Sequence, residues 1–307
     1  MLNQQLYQKR GLIISHVANW LMTKKKGDKL PTFSEMQEQF CVSRGTVQNA
    51  LKFLIDSKAV DVRARGRKGS YICNVDPLIL QQYCSRTHIS GIMPLPYSKA
   101  LECLATALYK CFSNQHLKFF LSYTGGSSNR YTMLLSGAFD FAISSKAAAL
   151  TSIERGLPIE VAMEFGSGSY LSKHVLVFSM HADAHLCDGL RIGIDNESFD
   201  QRQLTYRVFQ SYNVELVEIK RQRFLKAIKE GYIDASIWNY DEIIEKEHDG
   251  FQCIDLEFDN LDDFSNAVIL INQNDLFIKR VLEDSIHLEQ VKLVREKVIN
   301  NIIPPIY

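Results

Sequence analysis

The sequence lacks most of the features that announce a function at sight. No apolar run reaches the ~18 residues of a membrane-spanning helix, and the start Met1-Leu2-Asn3-Gln4-Gln5 has no apolar leader core. A cytoplasmic protein with no membrane partner is expected. The seven cysteines, Cys41, Cys73, Cys84, Cys103, Cys111, Cys187 and Cys253, are widely spaced and never arranged as Cys-x-x-Cys. That argues against a disulfide framework or a zinc or iron–sulfur signature and implies reduced, mostly buried thiols. His181-Ala-Asp183-Ala-His185 has metal-type side chains at alternate positions, which on a strand would share a face. No second cluster accompanies them, so they read as a polar exit from the apolar run Val175–Met180. Gly125-Gly126-Ser127-Ser128 lacks the Gly-Lys-Ser/Thr of a nucleotide loop. Neither Ser144 nor Ser198 sits in a nucleophile elbow. No catalytic residue, metal or cofactor is assigned.

An excess of charge is also missing, since 35 Lys and Arg balance 35 Asp and Glu. The balance holds in neither part alone. Residues 1–75 carry 13 cations against 5 anions, and residues 76–307 carry 22 against 30. A basic head on an acidic body suits a polyanion-binding module joined to a domain that does not touch the polyanion. With 46% apolar and 23% charged residues, the chain is able to bury ordinary globular cores. The expected division is a DNA-binding domain over 1–75, a linker over 76–88 and an effector-binding body over 89–307.

In the head, a helix is expected from about Asn3 to Thr23, its apolar face formed by Leu12, Ile13, His16, Val17, Trp20 and Leu21. Thr32 is a candidate N-cap, with Glu35 three residues on completing a capping box. Ser43 is the next N-cap, for a helix that buries Val47, Leu51 and Leu54. Arg44, Thr46, Gln48, Asn49 and Lys52 then face outward, mixing phosphate-binding groups with amides able to read base edges. Gly45 lets backbone approach a phosphate closely. Two strand-like runs follow, Val60–Arg63 and Ser70–Cys73, around the turn Ala64-Arg65-Gly66-Arg67-Lys68-Gly69. A basic hairpin after such a helix is placed to lie along a DNA backbone or reach the minor groove.

Leu30-Pro31-Thr32, Glu35-Met36, Val42-Ser43-Arg44-Gly45-Thr46-Val47, Ala50-Leu51, Leu54 and the Gly66/Gly69 turn resemble the winged helix-turn-helix of GntR-type bacterial regulators. The resemblance implies that Ser43, Arg44, Thr46, Gln48 and Asn49 enter the groove of a double-stranded operator, with Arg65 and Arg67 in the wing. Phe33-Ser34, Gln37 and Gln48 depart from that family's pattern, which implies altered base contacts at those positions.

Strand-like and helical segments alternate through the body, implying β–α units around mostly parallel sheets. Two blocks are expected to form two lobes, one over about 89–181 plus the C-terminal helices and one over about 190–270. Ligands of such folds bind beyond the carboxyl ends of the strands. Those ends carry polar loops: Pro96, Tyr97 and Ser98; Thr124, Gly125, Gly126, Ser127 and Arg130; Ser144, Ser145 and Lys146; Asn196 and Ser198; Asn239 and Asp241. Hydroxyl and amide groups at helix starts, with Arg130 and Lys146, suit an anion. Asp234, Asp241 and Glu242 offer the opposite charge to an amine.

The body resembles type 2 periplasmic-binding-protein-like domains. Together with the head, Gly91-Ile-Met-Pro-Leu-Pro-Tyr97, Gly193-Ile-Asp195 and Ile233–Ile243 resemble the YhfZ-type family, in which a GntR-like head precedes a solute-binding-like body. The expectation is an α/β protein with an N-terminal winged helix, acting as a homodimeric transcription regulator that senses a small anionic or zwitterionic metabolite. Its effector acts only through differential affinity for the regulator's conformations. Two other readings stay open: a metabolite-transforming enzyme with a docking head, and a body that only dimerises.

Overall fold

The computed structural model describes residues 2–22, 24–84, 88–113, 118–245, 250–273 and 275–307. They fall into two compact units, one of residues 1–89, 111–120 and 275–287, the other of 90–110, 121–274 and 288–307.

In the first unit, α1 (Leu2–Met22) precedes α2 (Phe33–Phe40) and α3 (Arg44–Asp56). Ile13, Val17 and Leu21, with Ala18 and Met22, form the buried stripe of α1. Leu12 and His16 lie outside that stripe and are exposed, because one residue's 100° step carries each away from the i, i+4 row. Thr32 Oγ1 accepts from the Glu35 amide while the Glu35 carboxylate accepts from the Thr32 amide, so the capping box is formed. Hydrogen bonds from the Thr32 backbone and hydroxyl hold the Glu35 carboxyl below its ordinary range. Cys41 ends α2 in a left-handed conformation, φ 51°. Ser43 Oγ accepts from the Thr46 amide and starts α3, which packs on both α1 and α2 through Val47, Ala50, Leu51 and Leu54. β1 (Val60–Ala64) and β2 (Ser70–Val75) form an antiparallel hairpin with a register shift at Asp61/Val62. Its tip is a 3-10 turn over Gly66–Lys68, where Gly66 and Gly69 take φ of 57° and 89°. The segment read as a linker contains α4 (Pro77–Gln81), capped by Asp76 and packed on α1.

The second unit holds two sheets. The chain runs through β3 (His88–Met93), α5 (Lys99–Phe112), β4 (Lys118–Tyr123), α6 (Ser127–Leu135), β5 (Phe141–Ser145), α7 (Lys146–Glu154), β6 (Ile159–Glu164) and β7 (His174–Ser179). It continues through β8 (Arg191–Ile194), α8 (Phe199–Val208), β9 (Glu215–Glu218), α9 (Phe224–Lys229), β10 (Ala235–Asn239) and α10 (Tyr240–Glu245). Last come β11 (Phe251–Asp255), α11 (Asp262–Ser265), β12 (Ala267–Asn272), α12 (Leu276–Ser285) and α13 (Leu288–Ile299), of which α12 belongs to the first unit and packs on α1. The first lobe's sheet has the order β4-β3-β5-β12-β6 and the second lobe's the order β11-β7-β10-β8-β9.

Each sheet is mixed rather than mostly parallel. β3 and β5 are parallel, but β12 runs antiparallel to both β5 and β6. In the second sheet β8 is parallel to β9 and β10, while β7 is antiparallel to β10 and β11. The lobe boundaries read from the sequence shift accordingly. β7 joins the second sheet and β12 the first, so the chain crosses between lobes on each side of the second block. Both strands are continuous apolar runs, Val175–Phe178 and Ala267–Ile271, and such a pattern does not say which sheet a strand joins.

Alternation within β7 feeds both faces of its sheet. Val175 and Val177 pack with Phe224 and Ile228 of α9, and Leu176 and Phe178 with Leu204 of α8 and Ile192 of β8. The first lobe's core gathers Ile92, Tyr131, Leu134, Ala142, Ala149, Val268 and Leu270. Gly91 permits the tightest approach there, since a Cβ on it would lie 2.1 Å from the Phe141 ring.

Candidate functional site

The outward face of α3 is the candidate nucleic-acid interface. Ser43, Arg44, Gln48, Asn49, Lys52 and Arg65 are exposed and Thr46 is half-buried. Among the described residues, Arg44, Lys52 and Arg65 form no ion pair. Arg65 lies over the Tyr71 ring at 5.1 Å, and Ser43 Oγ is 2.8 Å from Thr46 Oγ1. A Cβ on Gly45 would meet nothing of the chain within 4 Å. The side chain of Arg67 falls outside the described residues.

The second site is a cavity of about 770 Å³ in the second unit, lined from both lobes where β3, β5, β8 and β10 end. On the first lobe, Gly126 caps α6 with a positive φ of 74° and no side-chain acceptor, so the helix's first amides, beside the lining residues Gly126 and Ser127, have no side-chain cap. A Cβ at Gly126 would come within 3.3 Å of the Glu197 carbonyl on the other lobe. Arg130, 3% exposed, donates from Nε to the Ile143 carbonyl (2.8 Å), from Nη1 to the Thr124 carbonyl (3.1 Å) and from Nη2 to the Tyr170 hydroxyl (3.5 Å). All three acceptors are neutral. Ser144 Oγ is 2.7 Å from the Tyr131 hydroxyl, whose pKa burial pushes up to about 12.

The second lobe supplies the facing wall. Asp195 accepts from the Glu197 amide (3.0 Å) and the Arg221 amide (3.3 Å), ordering the turns that follow β8 and β9. Gln201 locks the same turn by accepting from the Asp195 amide and donating to the Gly193 carbonyl. The Arg221 guanidinium lies over the rings of Tyr97 (4.0 Å) and Trp238 (5.0 Å) and pairs with Glu242. Asp200, at the start of α8, accepts from Ser145 Oγ across the lobes at 2.7 Å. Burial pushes its carboxyl up to about 6, against the Ser145 hydrogen bond and the fields of Arg130 and Arg221. Three buried polar atoms, Trp238 Nε1, Asn239 Nδ2 and His174 Nδ1, have no hydrogen-bond partner among the described residues. Burial, helped by Arg221, holds His174 down to about 3, so its imidazole is neutral.

Of the residues read from the sequence, Tyr97, Gly125, Gly126, Ser127, Arg130, Ser144 and Ser198 line the cavity. Ser145 and Thr124 stand behind them, Ser145 through Asp200 and Thr124 through its carbonyl on Arg130. Others lie outside the lining. Pro96 falls between the lining residues Leu95 and Tyr97, and Ser98 is buried with its hydroxyl accepting from the Leu101 amide. Lys146 is taken by Glu164 (3.0 Å) and Asp263 (3.6 Å), whose hydrogen bonds and charges raise its pKa. The Asn196 carbonyl accepts from Arg202. Asp234 precedes β10, at the end of the strand away from Trp238, and its carboxylate is held by Arg191. Asn239 and Asp241 stabilise the start of α10, Asn239 accepting from the Asp241 amide and Asp241 from the Ser172 amide.

Sequence reasoning missed Asp195, Asp200, Arg221 and Trp238, together with Tyr170 and the rim cations Lys220 and Lys226, and of the three carboxylates it offered to an amine only Glu242 lines the cavity. One signal was present, the basic run Lys220-Arg221-Gln222-Arg223 directly after a strand. Among the described residues, no group of three His, Cys, Asp or Glu is arranged to hold a metal ion.

An N-terminal winged helix-turn-helix followed by a two-lobed body with a substrate-binding-protein-like fold points to a DNA-binding regulator. Residues 25–72 match a helix-turn-helix domain, and residues 76–307 match the YhfZ C-terminal domain. The chain belongs to the YhfZ family. It is 33% identical to the YhfZ protein of Escherichia coli (strain K12) over 233 residues, covering 76% of this chain and 75% of that one. The crystal structure of YhfZ from Shigella flexneri is similar with a TM-score of 0.63 and 26% identity, covering 74% of this chain and 96% of that one. The periplasmic aliphatic sulphonate binding protein SsuA from Escherichia coli shares the fold, with a TM-score of 0.55 at 10% identity over 71% of this chain and 75% of that one. Among the described residues, no helix is long and apolar enough to cross a membrane.

Proposed function

We propose that this protein is a GntR-like, homodimeric transcription regulator of the cytoplasm that binds a double-stranded operator and senses a small anionic or zwitterionic metabolite. The observation that carries the DNA half is the exposed face of α3, where Arg44 and Lys52 have no ion-pair partner among the described residues and the amides of Gln48 and Asn49 are exposed beside them. Cations left without carboxylates suit phosphates, and amides beside them suit base edges. The sensing half is supported by the cavity between the lobes, with the uncapped start of α6, Arg130 and Trp238 in its lining. Four cations, Arg130, Lys220, Arg221 and Lys226, line it beside four carboxylates, Asp195, Glu197, Asp200 and Glu242, which suits a ligand carrying both charges.

The test is selection of duplexes from a random library with the full chain, followed by affinity measurements across a salt series. The wild type is expected to enrich one sequence and to lose affinity steeply as salt rises. Arg44→Ala should abolish the enrichment. Arg44→Ala binding like the wild type would remove α3 as the reader. A metabolite screen by thermal shift on the full chain tests sensing: a hit that also changes operator affinity supports it, and a hit without that change makes the body a binder only.

A further inference from the structure

Two crossings of the cleft are made by the chain itself. From the second lobe, Asp200 accepts from Ser145 Oγ of the first lobe at 2.7 Å, within the field of the buried Arg130. From the same lobe, the Arg221 guanidinium lies 4.0 Å from the centre of the first lobe's Tyr97 ring, backed by Trp238 and Glu242. One crossing presents a carboxylate to a hydroxyl and an arginine, and the other presents a guanidinium to an aromatic face. Those are the groups with which a protein receives an anion and a cation from a ligand.

We propose that Asp200 and Arg221 form a resident clasp that fills the first lobe's anion and cation subsites, and that the effector is a small zwitterion, a carboxylic acid bearing an amine or guanidinium, which replaces both. This rests on the reading of the cavity as an effector site. The clasp is built to be displaced. Arg130 gives its hydrogen bonds to neutral acceptors, so its charge stays open to whichever anion stands beside it. The Asp200 carboxylate is held under a desolvation penalty that burial imposes, so an incoming anion competes with a reluctant occupant. Trp238, whose ring backs Arg221, also lines the same cavity. A ligand that merely added itself to the occupied cleft would gain neither subsite.

Emptying the subsites tests this without DNA and without the natural effector. In the full chain, Arg221→Ala should gain a saturable rise in melting temperature from millimolar methylguanidinium, against matched sodium chloride. Asp200→Ala should gain the same from acetate, and the wild type from neither. The double variant should bind γ-guanidinobutyrate about tenfold more tightly than methylguanidinium, because one molecule then fills both subsites. If removing Arg221 leaves Glu242 unpaired and the chain unfolded, Arg221→Ala with Glu242→Gln keeps the aromatic slot and is read in its place. Equal responses in wild type and variants would overturn the clasp. Rescue of the single variants without the chelate gain in the double variant would overturn the zwitterion. A clasp that fails while a metabolite still shifts the wild type sinks only this proposal, and a clasp that holds while no metabolite alters operator affinity sinks only the regulatory reading.

Discussion

Arg44 and Arg221 are the same side chain in opposite circumstances. Arg44 stands exposed on α3 with no carboxylate partner among the described residues, and a helix's first turn is all that positions it. Arg221 is held by Glu242, two aromatic rings and an amide bonded to Asp195. The head keeps its charge in solvent, where it costs little and is free for a partner that brings many phosphates. The body keeps its charges desolvated, where each must be matched inside the fold. Loss of a head cation should therefore change binding and leave stability alone, whereas loss of a cleft charge should change stability first.

The largest expected effect breaks the cleft side of that contrast. Glu242→Ala leaves Arg221 without its carboxylate and should destabilise the protein by about 3–4 kcal/mol, read as a lower urea midpoint at unchanged slope. Glu242→Gln should cost less, because the amide still accepts a hydrogen bond.

Asp200 comes next, and its sign is opposite. A carboxyl raised from 3.8 to about 6 binds its proton more tightly in the folded state. Its contribution is present below pH 3.8 and lost as pH rises through about 6. Asp200→Asn, which keeps an acceptor for Ser145, should stabilise the protein by about 2–3 kcal/mol above pH 6.5. Urea midpoints measured across pH should show that gain shrinking to nothing toward pH 4. A gain that does not vary with pH would mean that Asp200 is not the titrating group.

On the head side, Arg44→Ala should weaken operator binding by about 2 kcal/mol and flatten its salt dependence, with no change in melting temperature. A stability change comparable to that of Glu242→Ala would erase the distinction between the two regions. The smallest effect sharpens the head alone. Thr32→Ala removes the acceptor for the Glu35 amide and should cost about 1 kcal/mol, visible by thermal melting.

The two regions also differ in how far they can be read from the chain. Thr32 with Glu35 and Ser43 with Thr46 are visible because each pair is three residues apart, and helical geometry alone brings such groups together. The buried stripe Val47, Ala50, Leu51 and Leu54 follows the same local rule. In the body, the rule that ligands gather beyond strand ends found the Gly125–Ser127 turn, Arg130 and Tyr97. It did not find Asp200, whose partner Ser145 lies 55 residues away, or Arg221, whose partner Glu242 lies 21 residues away. It also credited Lys146 and Asp234 to the cavity, because a charged residue near a strand end gives no sign that Glu164 or Arg191 already holds it.

Local chemistry, then, is written in the chain directly: the basic head and acidic body, the caps, the wing glycines and the alternation of strand and helix all follow from neighbours within a few residues. The exchange of β7 and β12 between sheets and the crossing of the cleft by Asp200 and Arg221 were decided only by tertiary structure. A continuous apolar strand satisfies either sheet equally well, and a charge acquires its meaning from whatever group the fold packs against it.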